Sequence, residues 1–336
     1  MNIAVIGAGA IGSVVAGYLT KVKEDVVLIG RQDQVDVINR NGLSVKGARG
    51  AETLCLKALT QLDRTYDLVI FAVKTQDIED AYQHNGKFLE ESLVLTSQNG
   101  VQADNILSGH YEKGKVISSI VMFGATYVRP GEVTFNFEGD WIIGKPYVPN
   151  DPTVHKIADI LKKAFKVVVT DEIMGMKWLK LFVNFNNCIP ALVGKSMQET
   201  FADMDLCRLS VMLLKEGVDI VRQAQIELVS MPDFPKERIL GMAAMPLEQA
   251  AAIINKTLTS LSKEPLYGSI LQSIMRKKTS EIDFINGEAV QLASHFHLPS
   301  PLNSRVVDLV HEVERTGKFY NKEEVVKNFD IRSYSV

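Results

Sequence analysis

Ile3-Ala4-Val5-Ile6-Gly7-Ala8-Gly9-Ala10-Ile11-Gly12 runs from an apolar segment into a Gly-x-Gly-x-x-Gly loop, and Ser13-Val14-Val15-Ala16-Gly17-Tyr18-Leu19 continues it. The pattern predicts a strand over Asn2–Ile6 and a helix opening at the loop. The first N–H groups of a helix have no partner within it, and its dipole favours an anion at that end. In such a unit Gly7 permits the tight turn, Gly9 lets a pyrophosphate approach the backbone, and Gly12 lets helix and strand pack closely. The loop formed by Gly7, Gly9, Ala10, Ile11 and Gly12 therefore reads as the phosphate cradle of a dinucleotide-binding βαβ unit. A glycine triplet alone is weak evidence. The strand and helix patterns on either side carry the reading against a merely structural glycine turn.

Asp25-Val26-Val27-Leu28-Ile29 predicts the second strand, which ends at Gly30-Arg31. An NAD-specific fold places an acidic residue about there, for the ribose 2′-hydroxyl. Glycine followed by arginine instead leaves room for a 2′-phosphate and supplies a guanidinium to pair with it. NADPH/NADP+ is accordingly the expected cofactor. The competing reading makes Arg31 a solvated loop charge and Asp33 a displaced acid.

A chain of 336 residues is long for one core and comfortable for two domains. Its net charge of -3 lacks the basic excess that nucleic acid or an anionic membrane calls for, so neither is expected as a partner. A small-molecule substrate is expected instead, with a homodimer as the assembly the chain allows. No basic stretch precedes an apolar segment at the N-terminus and no apolar run approaches spanning length, so a cytoplasmic location is expected. Cys55, Cys188 and Cys207 are odd in number and widely spaced, which suggests neither a disulfide framework nor a zinc site. His295 and His297 would diverge on a helix, and no metal is expected.

Up to about residue 170, strand-like runs alternate with helical patterns, the signature of a doubly wound, Rossmann-type α/β sheet. Tyr66–Val73, Leu93–Ser97, Lys115–Val121 and Lys166–Thr170 are the later candidate strands. Thr126–Val128 and Val133–Phe137 flank Arg129-Pro130-Gly131-Glu132 and predict a hairpin that adds antiparallel strands at one edge. Val154–Phe165 predicts a helix. Beyond Asp171 strand signals vanish, and amphipathic patterns such as Cys207–Ala224 and Leu247–Leu261 predict an all-helical region. The expected division is a NADP-binding Rossmann-type domain over 1–170 and a helical substrate and catalytic domain over 171–336.

Ligands of open α/β sheets bind beyond the carboxyl ends of the strands. Two such ends are polar: Val73-Lys74-Thr75-Gln76 and Gln98-Asn99-Gly100. Lys74 suits an anionic cofactor or substrate, and Asn99 suits a carboxamide or carboxylate. A solvated lysine and a simple Asn-Gly turn would explain them equally well. In the helical region Trp178, Leu181, Phe182, Phe185 and Ile189 share one face, with Lys180, Asn184 and Asn187 on the other and Cys188 near the edge. Asparagine is a poor helix former, so this polar stripe needs a reason, either a site or a domain-bridging face. As a site, it would use Lys180 as proton donor and Asn184 as orienting partner. For Ser280-Glu281-Ile282-Asp283 the plain reading is a serine cap with two acids near a helix N-terminus. Arg276-Lys277-Lys278 reads as a solvated patch.

Taken together these features resemble the ketopantoate reductase family over almost the whole chain. The matching residues are Gly7-x-Gly9-x-x-Gly12, Arg31, Val73-Lys74-x-Gln76, Gln98-Asn99-Gly100, and Pro130-Gly131-x-Val133 leading to Gly139 and Gly144. They continue with Trp178-x-Lys180-Leu181-x-x-Asn184, Ser269-x-x-Gln272 and Glu281-Ile282-Asp283-x-Ile285-Asn286-Gly287. The resemblance implies NADPH-dependent reduction of ketopantoate to pantoate, on the way to pantothenate and coenzyme A, with the site in a cleft between sheet and helices. It further implies that Lys180 is the general acid, that Asn184 and Glu281 hold substrate oxygens, and that Ser269 meets the substrate carboxylate. Asn99 would lie near nicotinamide and substrate, and Lys74 by the cofactor. One departure stands out: where the family usually offers a second asparagine to the substrate, this chain has Cys188, a weaker hydrogen-bond partner. A paralogue reducing another branched 2-oxoacid therefore stays open, as does a non-catalytic NADP(H)-binding regulator.

Overall fold

β1 (Asn2–Ile6) and β2 (Asp25–Ile29) have the bounds their apolar runs set, and a glycine follows each. They pair in parallel, Asn2 opposite Asp25 and Ile6 opposite Ile29, with α1 (Ala10–Lys21) as the crossover. The computed structural model describes residues 1–262 and 264–331. The chain divides into two units, Met1–Met174 and the residues from Gly175 onward.

In the first unit α2 (Gln32–Asn41), β3 (Leu43–Gly47), β4 (Glu52–Leu54), β5 (Lys57–Leu59), β6 (Leu68–Phe71), α3 (Ile78–Asn85) and β7 (Leu93–Thr96) follow. Then come α4 (Gln102–Ser108), β8 (Val116–Val121), β9 (Gly124–Arg129), β10 (Glu132–Phe137), β11 (Trp141–Gly144), α5 (Pro152–Leu161) and β12 (Val167–Val169). The main sheet has the order β12-β11-β8-β7-β6-β1-β2-β5. From β5 to β8 every pairing is parallel, while β11 runs antiparallel to β8. Strand order reverses between β1 and β6, and such a reversal opens a ligand crevice at the carboxyl ends of the strands.

Successive residues of these strands enter different cores, as a sheet covered on both faces requires. Ile3, Val5, Leu28 and Ile70 pack with α1 and α5 residues such as Val15 and Ile157. Ala4, Ile6, Ile29 and Phe71 pack with Ile78 and Leu107.

The hairpin forms, but not at the edge where its sequence pattern places it. β9 and β10 pair antiparallel, then join β3 and β4 in a separate sheet of order β4-β3-β10-β9 instead of extending the main one. Its apolar side covers α1: the rings of Phe135 and Tyr18 lie 5.6 Å apart, edge to face. A Cβ on Gly17 would come within 2.9 Å of Leu54 Cδ1, so glycine lets this second sheet approach the helix. β12, expected over Lys166–Thr170, does close the main sheet beside β11.

After β12 the described residues form helices, with the single isolated bridge Met231–Phe234. They are α6 (Ile173–Asn184), α7 (Cys188–Val193), α8 (Met197–Phe201), α9 (Met204–Gln223) and α10 (Glu237–Ala244). α11 (Leu247–Thr259), α12 (Ser269–Met275), α13 (Asn286–His295), α14 (Pro301–Thr316) and α15 (Lys322–Asn328) complete the unit. The apolar stripe expected over residues 178–189 is buried: Trp178, Leu181, Phe182, Phe185 and Ile189 are at most 5% exposed. Phe182 and Phe185 meet α9 at Gly217, where a Cβ would stand 2.9 and 2.7 Å from their ring carbons. Among the described residues no helix is long and apolar enough to cross a membrane.

Candidate active site

Strand order β2-β1-β6-β7 lines up Arg31, the glycine loop, Lys74 and Asn99 along one rim of the main sheet, since each follows the carboxyl end of its strand. At about 4.8 Å per strand the row spans roughly 14 Å. The glycines behave as the motif demands. Gly7 has φ +119°, and a Cβ there would strike the backbone of Ala72 and Val73 at 2.6 Å. A Cβ on Gly12 would stand 2.0 Å from Gly7 O, whereas a Cβ on Gly9 would meet nothing within 4 Å. The middle glycine thus opens onto free space at the start of α1, where Ala10, Ile11 and Gly12 present N–H groups that the helix does not use. Beside Lys74, Thr75 Oγ1 and Gln76 Oε1 are buried without a hydrogen-bond partner among the described residues. Open backbone at a helix N-terminus and unused polar atoms on the same rim fit a dinucleotide.

At the tip of β2 the structure adds a steric reason for the missing acid. A Cβ on Gly30 would lie 2.6 Å from the Ala8 methyl, so a carboxylate-bearing side chain has no room there. Arg31 begins α2 with an exposed side chain, its Nε 3.8 Å from the Asp33 carboxylate. Both charges of the competing readings therefore stand at this tip. Lys74 and Asn99 are each half-buried. Gly100 has φ +75°, so the Asn-Gly turn forms as well. Gln98 joins their two loops: its Nε2 donates to Phe71 O at 3.0 Å and to Val73 O at 2.8 Å. The sequence puts Gln98 in a polar loop but gives it no such task, because a contact 27 positions away leaves no local trace.

In the second unit Lys180 and Asn184 stand one turn apart on α6, both partly buried. Burial pushes the Lys180 ammonium below its ordinary value. α6 does not continue as the sequence pattern implies. Residues Phe185–Asn187 tighten into a 3₁₀ turn before α7, and three residues per turn instead of 3.6 rotate the side chains beyond it. Cys188, expected near the edge of the polar face, is consequently enclosed. It is 0% exposed, and its Sγ donates to Phe185 O at 3.0 Å. Burial pushes its pKa up to about 12, so it remains a thiol, with the Asn286 side chain against it. A thiol placed this way exposes no surface of its own, at the position where the resemblance sets a substrate contact.

Three segments converge around that turn. A Cβ on Gly268 would sit 2.6 Å from Asn187 Oδ1, which sets exposed Ser269, the first residue of α12, beside the polar stripe. Asn286, against Cys188, brings the 281–286 segment to the same place. The expected serine cap does not form: Ser280 Oγ accepts from Ile282 N at 3.2 Å, but the N-cap of the 3₁₀ turn over Ile282–Phe284 is Glu281, without a side-chain cap, and the helix starts only at Asn286. Glu281 is half-buried. Arg276, Lys277 and Lys278 are exposed, as a solvated patch would be.

Comparison with known proteins covers most of the chain. The family model for ketopantoate reductase PanE/ApbA matches residues 3–147, and that for its C-terminal region matches residues 172–314. The 2-dehydropantoate 2-reductase of Pyrococcus horikoshii is 32% identical over 94% of this chain and 99% of its own length. The protein of the same name from Pyrococcus abyssi is 30% identical over 90% and 94%. Among solved structures, a PanE/ApbA family ketopantoate reductase from Ralstonia eutropha superposes with a TM-score of 0.79 at 24% identity, over 94% of this chain and 99% of its own. A D-mandelate dehydrogenase solved with NADH and anilino(oxo)acetate superposes with a TM-score of 0.81 at 21% identity, over 94% and 99%. At these identities the solved structures speak to the fold.

Proposed function

Because this chain belongs to the ketopantoate reductase PanE/ApbA family, we propose that it reduces ketopantoate to pantoate with NADPH as the hydride donor. The reading assigns cofactor binding to the Gly7–Gly12 loop, Arg31, Lys74 and Asn99. It assigns the substrate to Asn99, Asn184, Ser269 and Glu281, and proton delivery to Lys180. When bound, the reduced nicotinamide supplies hydride to the carbonyl carbon. The observation that carries the proposal is Lys180, partly buried on α6 with its pKa lowered by burial and with Asn184 one turn away. Hydride addition builds negative charge on the carbonyl oxygen, and a positioned ammonium both stabilises that charge and protonates it. A lowered pKa makes the ammonium a readier acid near neutral pH. The reading gives Asn184, on the same helix face, the orienting of the substrate oxygen that Lys180 serves. A cytoplasmic setting and a role in pantothenate and coenzyme A supply accompany this reading.

One observation favours a second reading. Cys188 is enclosed and turned from solvent where the family usually carries an asparagine, which supports a relative acting on another branched 2-oxoacid. NADPH oxidation measured against ketopantoate, 3-methyl-2-oxobutanoate and 2-oxo-2-phenylacetate decides between them. Ketopantoate should give the highest kcat/KM. A higher value with either other acid overturns the ketopantoate assignment, and tight NADPH binding without turnover on any acid would mark a regulator.

A further inference from the structure

Gln34 lies 6% exposed in the first turn of α2. Its Oε1 accepts from Arg31 N at 3.1 Å, and its Nε2 donates to Ala8 O at 2.7 Å, 26 positions away. A third, longer contact of 3.3 Å runs from Nε2 to the Tyr127 hydroxyl. Ala8 sits inside the glycine loop, and its methyl closes on Gly30. One side-chain amide thus spans the two backbone segments that this family member would use to grip opposite parts of one dinucleotide.

The capping of α2 does not account for this. Reaching back from the third helical position to the N-cap N–H is the ordinary half of a capping box, and a glutamate would do it as well, with added benefit from the helix dipole. A carboxylate cannot donate to Ala8 O. The amide is the group that satisfies both ends, accepting from one loop and donating to the other. We propose that Gln34 is a positioning residue for cofactor discrimination, holding the Arg31 segment at a fixed distance from the glycine loop so that one ligand engages both. The proposal rests on reading Arg31 as the partner of the 2′-phosphate. NADH needs the glycine loop and not Arg31, so loss of the clamp should fall on NADPH alone.

Calorimetric titration of NADPH and NADH into the wild type and Gln34→Leu, which adds no charge near the 2′-phosphate, tests this. The variant should weaken NADPH about tenfold, because a displaced Arg31 forfeits part of its charge-assisted contact and keeps the rest. NADH affinity should move less than about threefold, since its own contacts persist. Gln34→Met, unbranched and neutral, repeats the measurement if leucine disturbs folding. An unchanged ratio of the two affinities, or an equal fall in both, overturns the role of Gln34. The underlying reading fails separately: it falls if the wild type does not prefer NADPH, or if Arg31→Ala keeps the preference.

Discussion

The imidazole of His311 on α14 lies 2.9 Å from the Asp283 carboxylate, two residues beyond Glu281. Its other nitrogen faces Glu314 at 3.0 Å, and Glu314 in turn accepts from Ser280 N at 2.7 Å. The histidine therefore ties the segment that carries Glu281 to α14. Partial burial opposes its charge, but the hydrogen bonds and charges of Asp283 and Glu314 outweigh burial and raise its pKa above the ordinary 6.5. A group whose folded pKa exceeds its unfolded one adds stability that is complete below the unfolded value and lost as pH rises through the folded one. Wild type should thus lose, as pH rises above the ordinary histidine value of 6.5, stability that His311→Gln does not lose. Urea unfolding of both proteins at rising pH measures the difference, and parallel pH profiles would refute the linkage.

Arg31→Ala should remove most of the preference for NADPH over NADH. A charge-assisted hydrogen bond is worth about 1.5–3 kcal/mol, which corresponds to roughly one to two decades in affinity. The ratio of dissociation constants reads this directly. A variant that discriminates as well as wild type would show that Arg31 is only a solvated partner of Asp33.

Lys180→Ala should bind NADPH nearly as wild type does and lose turnover by about 10²–10⁴-fold, the range for removing a general acid. Single-turnover kinetics with saturating cofactor separate the two effects. Turnover within a few-fold of wild type excludes Lys180 as the acid, and a matching loss of cofactor affinity would make it a binding residue.

Glu281→Ala should collapse the preference for ketopantoate over 3-methyl-2-oxobutanoate, chiefly by loss of ketopantoate activity. The two acids differ by a hydroxymethyl group, and a site built to bond a substrate hydroxyl rejects the analogue lacking it by up to ~10⁴-fold. The local alternative is weakened by the structure: Glu281 and Asp283 lie at a single 3₁₀ turn that Ser280 does not cap, and Asp283 is engaged by His311, so dipole complementarity no longer explains both acids. kcat/KM for both substrates with both proteins is the measurement. An unchanged ratio with a modest fall in melting temperature would return Glu281 to a structural role.

The sequence by itself determined the parts that rest on local chemistry. β1 and β2 ended where apolar runs met glycine, because glycine favours the tight turn that follows each of them. The glycine loop, the helical second half and the buried stripe over residues 178–189 were legible for the same reason: their periodicity is set by neighbours in the chain. Tertiary structure alone decided what depends on distant partners. It put the β9–β10 hairpin into a second sheet with β3 and β4, since pairing within a hairpin says nothing about which other strand lies beside it. It enclosed Cys188 through a 3₁₀ turn that a uniform helical pattern could not reveal. It also joined Gln34 to Ala8, Gln98 to Phe71 and His311 to Asp283. Such contacts leave no local pattern, because the hydrogen bond is formed by atoms the fold brings together and each end is satisfied only after the chain has closed over it.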